Sequence, residues 1–375
     1  MRITFNSKRI AVVPIFLILL VSSCINEKTQ VIDVDYQKIS NRLEVYIDTI
    51  ICLETNDNSL IGEVTKIKYY KNRYFVLDQL VSKNLFQFNI KGKFLSKLPR
   101  GKGPEEIMDP VELFIDKERE LILVWDQGSK RIFEYDIDLN YLNCNHNEDL
   151  YIDAGKFIDN NRLLIYSPVF DNKKLENKVL YSIYNLKKRE YENHFFPISK
   201  NLTSISPIAP ISVTPERILF SAPFDNSLYA LEGNGYREVM HFDFGEMGIT
   251  ADDIKRGNSY VFSESWAGRK IIPFYSISEN ERYMALNFGL YGKDNFFIYS
   301  KATNETYFSF NLVKEGLLPN CRLSGQIGED QFLAFASPAD VIEFGKTNPM
   351  AASIQNEIEE LSNPCIIVFS IHEDK

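Results

Sequence analysis

The chain has 375 residues, 45% hydrophobic and 13% aromatic, with 20 Tyr, 27 Phe and a formal net charge of −9. That apolar share suffices for a packed core, and the aromatic weighting leans toward strands. An acidic balance without a long Lys/Arg run gives no support for nucleic-acid binding, which needs a basic face to displace counterions from phosphate.

The N-terminus carries Arg2, Lys8 and Arg9, then an apolar stretch from Ile10 to Val21 interrupted only by Pro14, then Val21-Ser22-Ser23-Cys24. The stretch is short for a membrane span, and the order of basic, apolar and small residues is that of a cleaved export leader. It resembles a bacterial lipoprotein signal peptide, whose lipobox sets small residues before a cysteine that is acylated and becomes the new N-terminus. The resemblance implies a signal peptide over 1–23, an anchor in the lipid bilayer through Cys24 and a polar tether over 24–42. Two or more acyl chains hold where one is marginal. The implied location is the bacterial cell envelope, at the outer membrane, with the periplasmic or surface side open.

Leu43 to Leu53 reads as a strand, and a repeating pattern follows. Val64–Tyr70, Arg73–Leu77, Asn84–Phe88 and Phe94–Leu98 are four short strands divided by polar turns. Val111–Ile115, Leu121–Trp125, Arg131–Tyr135 and Tyr141–Asn145 repeat them, and units over 152–197 and 208–244 keep the rhythm. One two-residue phrase marks each unit: Phe88-Asn89, Tyr135-Asp136, Tyr184-Asn185, Leu231-Glu232, Tyr299-Ser300 and Phe369-Ser370. Their spacings are 47, 49, 47, 68 and 70 residues. Four-stranded units at such a period are the signature of β-propeller blades.

The two long gaps each hold a segment that does not read as strand. Residues 245–268 contain Thr250 to Gly257, a short helix with a threonine cap and a closing glycine. Residues 337–363 contain a helical spacing over Ala351–Leu361. Removing both restores the shorter period, so the expected fold is one all-β, six-bladed propeller over residues 43–375. The sixth phrase falls in the third strand of its blade and no fourth follows. A closed ring leaves no unpaired edge, so Leu43–Leu53 is expected to supply the missing outer strand. Cys52, Cys144, Cys321 and Cys365 form no CxxC pair, and Cys52 and Cys365 lie in apolar runs that favour buried thiols.

At this stage the chain resembles the six-bladed propeller lipoproteins of Bacteroides-type bacteria, of the TolB-like or NHL-like kind. The residues that carry the resemblance are Ile61-Gly62-Glu63-Val64-Thr65-Lys66-Ile67 and Arg100-Gly101-Lys102-Gly103-Pro104-Glu105-Glu106. Glu105 stands where that family usually has glycine. The resemblance speaks to fold and location rather than to activity.

In a propeller, the loop between blades shares a face with the loop between second and third strands. The 100–110 loop and both insertions therefore belong on one face, with Asp78 and Asp126 at the ends of second strands. Binding residues concentrate on loops over a rigid scaffold. The candidate ligand-binding residues are Asp78, Arg100, Lys102, Glu105, Glu106, Asp126, Tyr260, Trp266 and Arg269. Each also has a plainer reading. Gly101 and Gly103 would supply positive φ to a constrained crossover, the two aspartates would cap turns, and the glutamates would be solvated. Tyr260 and Trp266 would stack on a sugar or anchor the insertion.

His146, His194, His241 and His372 are scattered without metal spacing, and there is no Gly-x-Ser-x-Gly elbow. The expected function is binding of a glycan, peptide or protein partner through the loop-rich face, without metal or cofactor. A carbohydrate-active hydrolase or lyase assembled from several blades is the alternative.

Overall fold

The computed structural model describes residues 29–34, 43–167, 179–197, 209–309, 318–327 and 330–373. The leader and Cys24 lie outside the described residues. The strands before the first full blade are β1 (Gln30–Asp33) and β2 (Leu43–Cys52). Blade one is β3 to β6 (Lys66–Tyr70, Arg73–Asp78, Asn84–Asn89, Phe94–Lys97), and blade two is β7 to β10 (Pro110–Asp116, Leu121–Asp126, Arg131–Tyr135, Tyr141–His146). Blade three is β11 to β14 (Ala154–Phe157, Arg162–Tyr166, Val179–Asn185, Glu190–Pro197), and blade four is β15 to β18 (Ile211–Val213, Ile218–Ser221, Ser227–Glu232, Gly235–Asp243). Blade five is β19 to β22 (Ile272–Glu279, Tyr283–Leu290, Lys293–Ser300, Thr306–Ser309). Blade six combines β23 to β25 (Cys321–Ile327, Gln331–Ala336, Cys365–Glu373) with β2. The fold is the expected six-bladed propeller.

Second strands are covered on both sides. Tyr74, Phe75, Val76 and Leu77 of β4 are all buried, which is why these segments read as continuous apolar runs rather than alternating ones. The apolar side chains gather in the seams between blades. Phe75, Leu85, Leu113 and Phe133 fill the seam between blades one and two, and Met240, Phe242, Phe274 and Phe297 that between four and five.

The repeated phrase now has a physical cause. In blades one to five it stands at the end of the third strand, and in blades one to three its second residue folds the turn to the outer strand, whereas Phe369-Ser370 lies inside β25. Asn89 Oδ1 accepts from the N–H groups of Lys91 and Lys93, and Asp136 Oδ1 from those of Asp138 and Asn140. Asn185 Oδ1 accepts from Lys188 N in the same way. These are Asx turns, in which the side chain stands in for a backbone acceptor.

The ring closes as the sequence implies. β2 lies antiparallel to β25 from Leu43↔Glu373 to Cys52↔Cys365. Asn363, fully buried, fastens the end of the seam. Its Oδ1 accepts from Ile61 N at 2.8 Å, and its Nδ2 donates to Glu54 O and Ser59 O.

Two features depart from expectation. Within the stretch read as tether, Gln30–Asp33 forms β1, which runs parallel to β18 and adds a fifth strand to blade four. Ile32 and Val34 are buried there, so four alternating residues were enough to dock. The helix expected over Ala351–Leu361 is shorter and starts earlier, at Pro349–Ile354, and a further helix, Pro338–Phe344, precedes it. Both start at a capped proline, Ser337-Pro338 and Asn348-Pro349. The chain turns extended at Ile358, which is buried against blade six, and Leu361 is 90% exposed.

Candidate functional site

The insertion between blades four and five carries helices Ala251–Arg256 and Asn258–Trp266. The first starts as expected. Thr250 Oγ1 accepts from Asp253 N, and Asp253 Oδ2 accepts from Thr250 N, a reciprocal capping box. Lys270 pins this helix, with Nζ 3.1 Å from Asp253 Oδ2 and 2.7 Å from Gly248 O. The second helix is fixed to blade five. Ser265 Oγ donates to Gly289 O, and Ser265 O accepts from Tyr291 N. Tyr291 and Gly292 hold φ of 55° and 68° in the tight turn between β20 and β21, the left-handed pair of a two-residue hairpin. The ring of Trp266 lies over Gly292 and is 72% exposed.

Below this tryptophan a cavity of about 380 Å³ opens on the loop-rich face. Phe224, Phe262, Ile272 and Phe274 give it apolar walls. Its polar end is a linked trio. The Tyr275 hydroxyl donates to Asp294 Oδ1, and Arg322 Nε donates to Asp294 Oδ2 at 2.9 Å. Burial first, then the charge of Asp294 beside it, pushes the Tyr275 phenol well above its ordinary value. It therefore stays protonated near neutral pH. An aromatic shelf beside a carboxylate, a guanidinium and a phenol suits a ligand with an apolar face and hydroxyl edges.

The candidate residues divide into three groups. Trp266 lines the cavity. Tyr260 sits half-buried on the same insertion, packed with Phe224, Ile249 and Val261 and stacked under Arg256 at 4.6 Å. Arg269 is exposed and grips Glu264 by two bonds of 2.7 Å.

Arg100, Lys102 and Glu105 are exposed on the same face, at the junction of blades one and two. That junction lies across the ring from the junction of blades four and five, so the structure does not bring this loop to the cavity. Glu106 folds back, its Oε2 accepting from Gly103 N at 2.7 Å. Gly101 and Gly103 do not hold positive φ. The Glu106 carboxylate lies against both, so a Cβ on Gly101, 2.1 Å from Glu106 Oε2, would displace the end of that flexible side chain.

Asp78 and Asp126 are fully buried, and their carboxylates are occupied. Asp78 accepts from the N–H groups of Gly62, Val81 and Ser82. Burial opposes its charge, yet these donors together hold its carboxyl below the usual range. Asp126 accepts from Met108 N, Asp109 N, Ser129 N and Ser129 Oγ. Each therefore ties the loop leading into its own blade to the turn after the second strand. Asp126→Ala leaves those donors without an acceptor and is expected to cost about 3–4 kcal/mol, with Asp126→Asn costing less. Urea denaturation of the two variants checks this, and an unaltered midpoint for the alanine would refute the latch.

Tyr275, Asp294 and Arg322 were not among the sequence candidates. They come from β19, β21 and β23, far apart in the chain, and the only local sign is a charge inside the Cys321-Arg322-Leu323 strand.

Residues 29–370 match a family described as a domain of unknown function, DUF4934. The chain belongs to that family. No curated protein matches it. Among solved structures, this DUF4934 protein is similar to an inferred exported protein of Bacteroides fragilis, with a TM-score of 0.73 at 17% identity, covering 93% of this chain and 100% of that one. It is also similar to a member of the DUF4221 family from Bacteroides vulgatus, with a TM-score of 0.56 at 10% identity, covering 89% and 99%. At these identities the likeness is one of fold.

Proposed function

We propose that this DUF4934 protein is a lipid-anchored propeller of the cell envelope, of the TolB-like or NHL-like kind, that binds a glycan through the cavity under Trp266. The observation that carries this reading is the exposed tryptophan set beside the Tyr275–Asp294–Arg322 trio. A sugar ring offers C–H groups to an indole face and hydroxyls to the polar end. Hydrolysis of a glycosidic bond would ordinarily need two carboxyl groups flanking it, and among the described residues Asp294 is the one carboxylate lining this cavity. A lyase base would have to lose its proton, which Tyr275 resists. Both points favour binding over turnover.

Export of the similar Bacteroides fragilis protein agrees with the lipobox reading. Strand β1 supports a particular orientation. It runs parallel to β18 toward the loop-rich face, so the chain enters it from the opposite side. Four residues separate Cys24 from Thr29, and the five Cα steps reach about 17 Å at full extension. An acyl group on Cys24 would hold the rim of blade four at the bilayer, with the cavity turned away from it.

The test is a glycan array followed by titration calorimetry. Trp266→Ala and Arg322→Ala are expected to weaken a hit at least about tenfold, 1.4 kcal/mol, with unchanged thermal denaturation. Undiminished affinity in both variants would remove the cavity from the site. The triple variant R100A/K102A/E105A separates ligand classes. A small glycan ignores it, whereas a peptide or protein broad enough to cross the channel mouth loses affinity.

A further inference from the structure

On the opposite face a second cavity, of about 470 Å³, opens where the central channel leaves the ring. Five of the six innermost strands wall it: β3, β7, β11, β15 and β23. Its charged lining is three lysines and three carboxylates, Asp116, Glu118 and Asp159. Lys68 comes from β3, Lys117 from the turn after β7, and half-buried Lys156 from β11.

Apart from Glu118, the carboxylates near these lysines are already engaged. Buried Glu112 takes Lys66 Nζ at 2.8 Å, Gly155 N at 3.1 Å and Leu113 N at 2.9 Å, with Lys68 Nζ farther off at 3.8 Å. Burial opposes the Glu112 charge, but Lys66 and Lys68 outweigh it and hold the carboxyl below its usual range. Lys66 is saturated, since it also donates to the backbone oxygens of Val111 and Asp153. At the rim Asp116 closes on Arg119 and Asp159 on Arg162, at 2.6 and 2.7 Å, while Glu118 is exposed. Among the described residues, no carboxylate lies within ion-pair distance of Lys156, whose side chain instead meets Lys68.

Lys68 and Lys156 thus share one walled cavity in which, among the described residues, Lys156 has no ion-paired carboxylate, Lys68 has only the distant Glu112, and Glu118 stands exposed at the rim. We propose that this channel mouth binds a small divalent oxyanion, a phosphate or a dicarboxylate, between Lys68 and Lys156, with Lys117 at its rim. The proposal is independent of the glycan reading, because it concerns the other face. The charge of Lys68 first, then burial, brings Lys156 down to about 7. A lysine lowered on folding weakens the fold below its folded pKa, and that penalty is relieved as pH rises from about 7 toward the ordinary lysine value. A dianion bound to both charged lysines removes the same penalty.

The test titrates the full chain with phosphate and with succinate, in chloride at constant ionic strength, at pH 6.5 and pH 9. Calorimetry is expected to show binding of at least one anion, weaker at pH 9, with a matching rise in melting temperature. Lys156→Met and Lys68→Met are each expected to reduce affinity at least tenfold, and Lys156→Met to melt above the wild type at pH 6.5 without anion. Preference between phosphate and succinate identifies the source. The absence of heat or thermal shift with both anions would overturn the proposal, leaving a bare repelling pair. Equal affinity in wild type and both variants would overturn it as well.

Discussion

Removing residues 1–54 is expected to leave a chain that no longer unfolds cooperatively. β2 completes blade six from outside, and nine register pairs join it to β25. Its buried side chains serve two seams. Val45 and Ile50 pack in the cluster between blades five and six, and Ile51 in that between blades six and one. Burying three such residues is worth roughly 5–9 kcal/mol at about 1.5–3 kcal/mol each. A whole domain is stable by only about 5–15 kcal/mol. Without β2 the strand Ile366-Ile367-Val368-Phe369 becomes an open apolar edge, so the product is expected to aggregate as well as to lose structure. Removing only residues 1–34 is the control. β1 is a fifth strand outside a blade that is complete without it, so this deletion is expected to cost about 2–4 kcal/mol, chiefly Ile32 and Val34, and to leave the ring intact. Thermal denaturation followed by far-UV circular dichroism, with size-exclusion chromatography, reads both. A chain of residues 55–375 that melts as a sharp monomeric transition near the full-length temperature would show that β2 is dispensable.

The architecture was legible because a propeller writes the same local physics six times. An apolar residue late in a third strand followed by a polar one recurs at a nearly fixed spacing, and in the first three blades Asn89, Asp136 and Asn185 turn that polar residue into an Asx turn. The seam strand was legible from its count, since blade six lacked an outer strand. β1 was not, because four alternating residues in a polar stretch look like any extended tether until a partner edge is present. The site was legible only in part. Trp266 stood out as an aromatic on an insertion, but Tyr275, Asp294 and Arg322 meet through the ring and share no motif. Asp78 and Asp126 looked like site residues because a carboxylate at a loop is ambiguous in sequence. Folding resolves the ambiguity by turning both inward onto backbone donors. The glycines of the Gly-Lys-Gly-Pro loop invite a conformational reading, yet neither holds positive φ, and the Glu106 carboxylate packs against them.

The seam carries a second large expected effect, on oxidation. Cys52 and Cys365 are direct cross-strand partners at the loop-rich end of β2 and β25. Directly opposed residues on antiparallel strands place their Cα atoms about 4.5–5.5 Å apart, inside the range a disulfide accepts. The two thiols differ in the way a disulfide exchange requires. A hydrogen bond from Cys365 lowers Cys52 despite partial burial, while the same contact and burial push Cys365 up. Partly exposed Cys52 is therefore the thiolate that attacks an oxidant, and buried Cys365 the thiol that resolves the mixed disulfide. With oxidised glutathione, the pair is expected to lose two protons and two electrons and release two molecules of reduced glutathione. The bond would close the chain from residue 52 to residue 365, a loop long enough to contribute about 6 kcal/mol on the chain-entropy model. A rise in melting temperature of about 5–10 °C should follow, reversed by dithiothreitol. Cys365→Ser is expected to abolish it. Mass spectrometry of peptides under non-reducing conditions reads the link, and a full count of titratable thiols after oxidation would show that the seam closes without it.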